Sequence, residues 1–288
     1  MTELTNTALN RTEQLGFIDL SARKRIESLL DSGSMRELLT PFDRLTSPWL
    51  EKQGIVPQFD DGVVIARGKL DDKPVVAAAI EGGFQGGSLG EVGGAKIAGI
   101  LELAIEENRK GNPTAAVLML ETGGVRLQEA NLGLAAIAEI QSAIVELRQY
   151  QPVIAVVTGP VGCFGGMSIT AGLCSYLIIT REGRLGLNGP QVIEQEAGVE
   201  EYDSRDRGLI WGLTGGIQRF ATGLVDAFVD DDVSALATSV RDCLAAGVPT
   251  LHRSDDIASP LKRLQQFDTR EQIDAQRARF TLTQGKTA

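Results

Sequence analysis

Histidine occurs once in this chain of 288 residues, and cysteine only three times, at Cys163, Cys174 and Cys243. The odd number and the lack of a C-x-x-C spacing argue against a disulfide framework, and a reducing cytoplasm is the expected home. The N-terminus lacks the apolar core of a secretory signal. Basic charge is also short: 28 Lys and Arg against 38 Asp and Glu leave a formal charge of -10. Such a balance argues against a nucleic-acid partner, because phosphate binders present a net basic face. No run is both long and uniformly apolar. Gln149 to Thr180 contains no charged residue, but Pro152, Pro160 and five glycines interrupt it, so a lipid-facing helix is not expected. Proteins and small acyl substrates remain the expected partners.

What the chain has is 43% hydrophobic residues, enough for one large core or two fused ones. Ala22, Ile26, Leu29 and Leu30 share one helical face within 21–31, with Gly33 as the stop. Two β-rich runs, Gly62 to Lys69 and Pro74 to Ile80, flank Leu70-Asp71-Asp72-Lys73 and predict a hairpin. Helix, strand and glycine turn then alternate. A helical pattern runs through Ile97 to Ile105, a buried strand through Ala115 to Leu120, and a long helical pattern through Leu127, Leu134, Ile137, Ile140, Ile144 and Leu147. Strand Val153 to Val157, a short helix, strand Tyr176 to Ile179 and a Gly-Pro turn at 189–190 follow, with a further helical stretch after it. Continuous apolar strands imply an α/β protein whose strands are covered on both faces, without specifying their order. Beyond Val229, helices are predicted at Val233 to Ala246 and Arg270 to Phe280, joined by a polar link from His252 to Pro260. The expected division is an N-terminal helical segment over 1–60, a core over 61–231 and a C-terminal helical extension over 232–288.

The chemistry-bearing features are glycine turns. Glu121-Thr122-Gly123-Gly124-Val125-Arg126-Leu127-Gln128-Glu129 sits where a strand gives way to a helical pattern. First-turn amides of a helix have no internal acceptor, and their dipoles favour negative charge, so such a junction can hold an oxyanion. Taken alone, a tight turn needing glycine only for geometry explains the segment more simply, because glycine pairs at such junctions are common. A second junction of the same kind runs from Gly159 to Ser168 through Cys163, Phe164, Gly165 and Gly166. If the two strands are neighbours, the amides at Val125 and at Gly165 or Gly166 can face one carbonyl oxygen. The alternative at the second turn is close helix packing.

Together with Gly86-Gly87-Ser88-Leu89-Gly90 and Asn188 to Gln195, these segments resemble the acyl-binding half of the biotin-dependent acyl-CoA carboxyltransferases. That family carries a Ser-Gly-Gly-Ala-Arg-x-Gln-Glu segment with a Gly-Gly motif about forty positions later. Here Glu-Thr-Gly-Gly-Val and Gly-Cys-Phe-Gly-Gly-Met replace the usual residues, as in the beta subunits of malonate decarboxylases. The resemblance extends from Arg25-Ile26-Glu27 to about Asp230. It implies a crotonase-like superhelix of repeated strand-strand-helix units with flanking N- and C-terminal helices. It also implies a homologous gamma subunit completing the site, and decarboxylation of a malonyl thioester presented on an acyl carrier protein. The CoA-derived prosthetic group would ride on the carrier, with no cofactor or metal held by this chain. The expected oxyanion residues are Gly124, Val125, Gly165 and Gly166. Gly86, Gly87, Ser88, Gly123 and Phe164 are the expected substrate-binding residues. A biotin-dependent carboxyltransferase subunit and a non-catalytic scaffold are the alternatives.

Side chains offer little beside these amides. His252 lies in the polar link, Cys163 reads as a buried small residue, and Arg126, Gln128 and Glu129 read as structural or subunit-pairing groups. Lys96 is expected either to meet a phosphate or to be solvated, and Gly93-Gly94 to permit close helix packing.

Overall fold

In a computed structural model of the chain, the described residues are 16–52, 54, 62–268, 270–271 and 273–284. The expected boundary at 60 and 61 lies outside them. The first elements are α1 (Ala22–Leu29), β1 (Arg36–Leu38), α2 (Pro48–Lys52), β2 (Val63–Leu70), β3 (Lys73–Ile80) and α3 (Glu91–Arg109). Next come β4 (Ala115–Met119), α4 (Leu132–Leu147), β5 (Val153–Val157), α5 (Gly166–Leu173) and β6 (Tyr176–Thr180). The chain continues with α6 (Pro190–Ala197), α7 (Arg207–Thr214), α8 (Gly216–Ala221), β7 (Ala227–Val229), α9 (Val233–Ala246), α10 (Ala258–Leu264) and α11 (Ala275–Gln284).

The seven strands form one sheet in simple sequential order. β1, β2 and β3 pair antiparallel, and β3 through β7 run parallel. The hairpin expected at Leu70-Asp71-Asp72-Lys73 closes as a two-residue loop. Both aspartates take left-handed φ, the geometry that matches the twist of a strand pair. Asp31 holds this loop by accepting the Asp71 and Asp72 amides at 3.2 and 2.9 Å.

Because strand side chains alternate, the sheet has two apolar faces. Val76, Ala78, Leu118 and Ala155 face α3, α4 and α5, whereas Ala77, Ala79, Val117 and Val156 face α1 and α9. Helix Val233–Ala246 is thus part of the covering layer, with Leu236 and Val240 buried on the sheet. Tight packing between α3 and α4 needs Gly94, where an added Cβ would fall 2.3 Å from the Ala136 Cβ. After each of β3 to β6, the second strand of the expected strand-strand-helix unit shrinks to a single bridge. The bridges are Leu89 to Val125, Thr122 to Cys163 and Cys163 to Leu185.

Three expectations change. The long helix does not start at Leu127: a short 3-10 turn spans Leu127–Glu129, Ala130 takes φ 52°, and α4 begins at Leu132. A left-handed residue cannot continue a right-handed helix, so Leu127 falls outside α4 and is 80% exposed; Leu134, in the first turn of α4, is 52% exposed, while Ile137, Ile140, Ile144 and Leu147 fill the core. The terminal helix begins at Ala275, after the Arg270 side chain turns back onto Asp268 at 2.7 Å. The polar link also ends early, because α10 starts at Ala258 and accommodates Pro260 in its first turn, where a missing N–H breaks no helical bond.

Candidate functional site

Parallel pairing of β4 with β5 brings the two glycine turns side by side at the carboxyl ends of the strands. They are laced together: the Thr122 amide donates to the Gly162 carbonyl at 2.7 Å, and the Phe164 amide to Thr122 at 3.0 Å. Val125 and Gly166 each lie three residues beyond the bridged pair Thr122 and Cys163. The close approach is measured at Gly165, which adopts φ 64° and ψ -148°: a Cβ there would sit 3.2 Å from Gly124 Cα. Only glycine takes that conformation readily.

The amides divide into spent and unspent. Gly123 donates to Gly86 at 3.1 Å, and Gly124 to the Thr122 hydroxyl at 3.1 Å. Gly165 donates to the Leu187 carbonyl at 2.7 Å, so it is not an oxyanion donor; its role is to bend the chain. Among the described residues, the Val125 and Gly166 amides make no hydrogen bond. Gly166 opens α5, so the helix dipole adds to its donor. Packing accounts for Gly166 as well, since a Cβ there would fall 3.0 Å from the Ile137 side chain.

Charged groups buried behind the first turn hold it. Arg126 donates to the Ser88 carbonyl at 2.7 Å, to the Ser88 hydroxyl at 3.1 Å and to Glu129 at 2.9 Å, and it lies over the Phe84 ring. Glu129 also accepts the Glu91 amide at the start of α3. The structural reading of these two residues holds. Gly86 accepts the Gly123 amide, Gly87 packs against the Glu121 carbonyl, and Ser88 accepts from Arg126. Gln128 is exposed. Glu121, just before the turn, pairs with Arg25 of α1 in a buried ion pair and accepts the Val161 amide of the second turn at 3.4 Å. Arg25 in turn donates to the Phe17 and Ile18 carbonyls at 3.2 and 2.8 Å.

Beside the turns opens a cleft of about 290 Å³ lined by Gly123, Val161, Phe164, Arg184, Gly189 and Pro190, among others. Val125, Gly165 and Gly166 are not part of its lining, but Gly123 and Phe164 of the same two turns are. A larger groove of about 690 Å³ runs beside α1, but its charged groups pair with one another, as in Arg23 with Glu37 and Lys24 with Glu27, at 2.6 and 2.7 Å.

Comparison with known proteins decides the family. The carboxyl transferase domain model matches residues 19–277. The chain belongs to the carboxyltransferase family. Malonyl-S-ACP:biotin-protein carboxyltransferase of Malonomonas rubra is 37% identical over 262 residues, covering 88% of this chain and 82% of that protein. A subunit of a Pseudomonas malonate decarboxylase hetero-tetramer, solved in complex with malonate, is 65% identical with a TM-score of 0.92, covering 95% and 99% of the two chains. A chain of the Pseudomonas MdcD-MdcE hetero-dimer is 60% identical with a TM-score of 0.74, covering 87% and 96%. The fold is accordingly the crotonase-like α/β fold of these carboxyltransferases.

Within this carboxyltransferase, the remaining sequence candidates are structural. Burial pushes the Cys163 thiol far above its ordinary pKa, and Cys174 up to about 12, which removes both as nucleophiles. Lys96 is buried and donates to the Val63 carbonyl, so it meets neither phosphate nor bulk water. Glu194 accepts the Ser204 amide at 2.7 Å, tying down the loop after α6. His252 is half-buried in a separate cavity beside Ser175 and Tyr176, its pKa lowered by burial and by Arg148. Sequence reasoning missed Arg184. It follows a plain strand, and only the fold carries it back beneath Phe164.

Proposed function

We propose that this chain is the beta subunit of a malonate decarboxylase and that it removes carbon dioxide from a malonyl thioester held on an acyl carrier protein. The observation that carries this reading is the meeting of two strand-helix turns whose Val125 and Gly166 amides have no other partner among the described residues. Cleavage of the bond between the carboxylate and the α-carbon sends its electron pair into the thioester carbonyl. Negative charge therefore grows on an oxygen within reach of those amides, where fixed donors stabilise it without reorganising. Carbon dioxide departs, and a proton added at the α-carbon gives the acetyl thioester. Among the described residues no Asp, Glu, His, Cys or Tyr lines the cleft, and in this reading the proton comes from water or from the partner. Loss of one such donor slows turnover about a hundredfold to a thousandfold.

Heteromeric assembly is part of the reading. The 65% identical relative is a subunit of a malonate decarboxylase hetero-tetramer, and here Leu127 and Leu134 leave apolar surface exposed directly beside the first turn. The carrier delivers the CoA-derived thiol arm, and this chain binds no cofactor of its own. Three buried free thiols suit a reducing cytoplasm. Among the described residues no helix is long and apolar enough to cross a membrane.

A second reading, transfer of the carboxyl group to biotin, is favoured by the 37% identity to the Malonomonas rubra biotin-protein carboxyltransferase. The test is purification with bound partners, followed by mass spectrometry of the carrier with and without avidin. Conversion of malonyl to acetyl carrier that ignores avidin supports decarboxylation. Inhibition by avidin supports the biotin route, and a complex that binds malonyl carrier without converting it supports a scaffold.

A further inference from the structure

Arg184 is a cation with unused donors in the wall of the cleft. Its guanidinium lies between two rings, 5.5 Å from the Phe164 centroid and 4.5 Å from that of Trp211. One terminal nitrogen donates to the Pro160 and Val161 carbonyls, at 3.0 Å for the second. The buried Nε has no partner, and among the described residues no carboxylate pairs with the side chain. Nearby, Tyr202 is 7% exposed and its hydroxyl also lacks a partner. Burial, with Arg207 close by, pulls the Arg184 pKa below its ordinary value, though an arginine stays charged. A poorly hydrated guanidinium with spare donors in a concave wall is built for a planar anion.

Resting on the decarboxylase reading, we propose that Arg184 binds the carboxylate of the malonyl group and so distinguishes substrate from acetyl product. The position selects this anion. Gly123 and Phe164 line the cleft together with Arg184 and also belong to the two turns, so the anion lies close to the thioester carbon. A pantetheine phosphate stands a whole arm away from that carbon. As the bond breaks, charge leaves the carboxylate and moves to the thioester oxygen, away from Arg184 and toward the amides. The arginine thus favours the ground state over the transition state, and its contribution is to recognition rather than to rate.

The test uses the intact complex with malonyl carrier, acetyl carrier and a carrier bearing the neutral malonamyl thioester. Arg184→Gln should raise KM for malonyl carrier about tenfold or more, the value of a lost charged hydrogen bond, with the loss in KM rather than kcat. Inhibition by acetyl carrier should not weaken in parallel, and Arg184→Lys should recover part of the loss. With the unaltered complex, malonamyl carrier should bind at least about tenfold more weakly than malonyl carrier, a comparison that no folding defect can confuse. Equal binding of malonyl and malonamyl carriers, an unchanged KM, or equal losses for malonyl and acetyl carriers would each overturn the proposal. If the unaltered complex binds malonyl carrier but does not convert it, the decarboxylase reading fails, and the two affinities still judge the carboxylate site.

Discussion

The two glycine turns look alike in sequence but are held in different ways. Behind Gly123 and Gly124 lie two buried ion pairs, Arg126 with Glu129 and Arg25 with Glu121. Behind Gly165 and Gly166 lie a backbone bond to Leu187, the buried Cys163 and Phe164 side chains and the Ile137 side chain. The first turn is also exposed to solvent at Leu127, whereas the second runs straight into α5. A turn that cannot lean on helix packing is fixed by charge, because directional bonds define a geometry that apolar contacts leave loose. The difference suggests a division of labour: stiff polar anchors place one amide, and a packed helix terminus places the other.

The largest effect should come from breaking the innermost lock. Glu129→Gln leaves the Arg126 charge buried without a counterion, and thermal or denaturant unfolding should show a loss of about 3–5 kcal/mol. Glu121→Gln should cost nearly as much by stranding Arg25. Here the comparison can be sharpened, since replacing both Arg25 and Glu121 by Met removes both charges and should regain most of the stability. Turnover should stay depressed, because Glu121 also grips the Val161 amide and a small misplacement near reacting atoms costs on the order of a hundredfold. Full activity in the stable double variant would show that Glu121 serves the fold alone.

A smaller loss is expected at the packed turn. Gly166→Ala presses a methyl group against Ile137 and should cost about 1–3 kcal/mol, with Ile137→Val giving partial recovery in the same melting assay. If charge substitutions and Gly166→Ala had matching effects, the contrast between the turns would fall. The smallest effect lies far from both. Asp31→Asn loosens the β2–β3 loop by less than about 1 kcal/mol, since the carboxylate is partly exposed. The Asp72 amide foremost, then Asp71 and Arg241, hold the Asp31 pKa below the usual carboxylate range. Its contribution is therefore present above the unfolded value and disappears as pH falls through the lower folded one. Melting temperatures of the two proteins should differ at neutral pH and converge in acid.

Much of this was readable in the chain. Periodicity located the hairpin, the parallel strands and helix Val233–Ala246, because a fully buried strand or an amphipathic helix leaves its pattern in consecutive residues. The twin turns were legible as well, through their repeated spacing. Which amide of Gly165 and Gly166 is unspent was not legible, since that depends on Leu187, which arrives from another loop. Leu127 and Leu134 misled for a related reason: exposed leucines at helical spacing carry the same apolar pattern as residues that cover a core. Arg184 gave no signal, and Glu121, though it opens the first turn's motif, gave none of its pairing with Arg25, because a lone charged residue has no periodicity and acquires its partner only from the fold.

Local interactions dictated the element types and the glycine bends, for these follow from backbone sterics and from the burial pattern of residues close in sequence. Only the folded sheet, by ordering its strands in sequence and laying one turn against the other, decided which amides are unspent, which charges are locked and which arginine faces the cleft. Those properties depend on contacts between segments dozens of residues apart, and no local rule contains them.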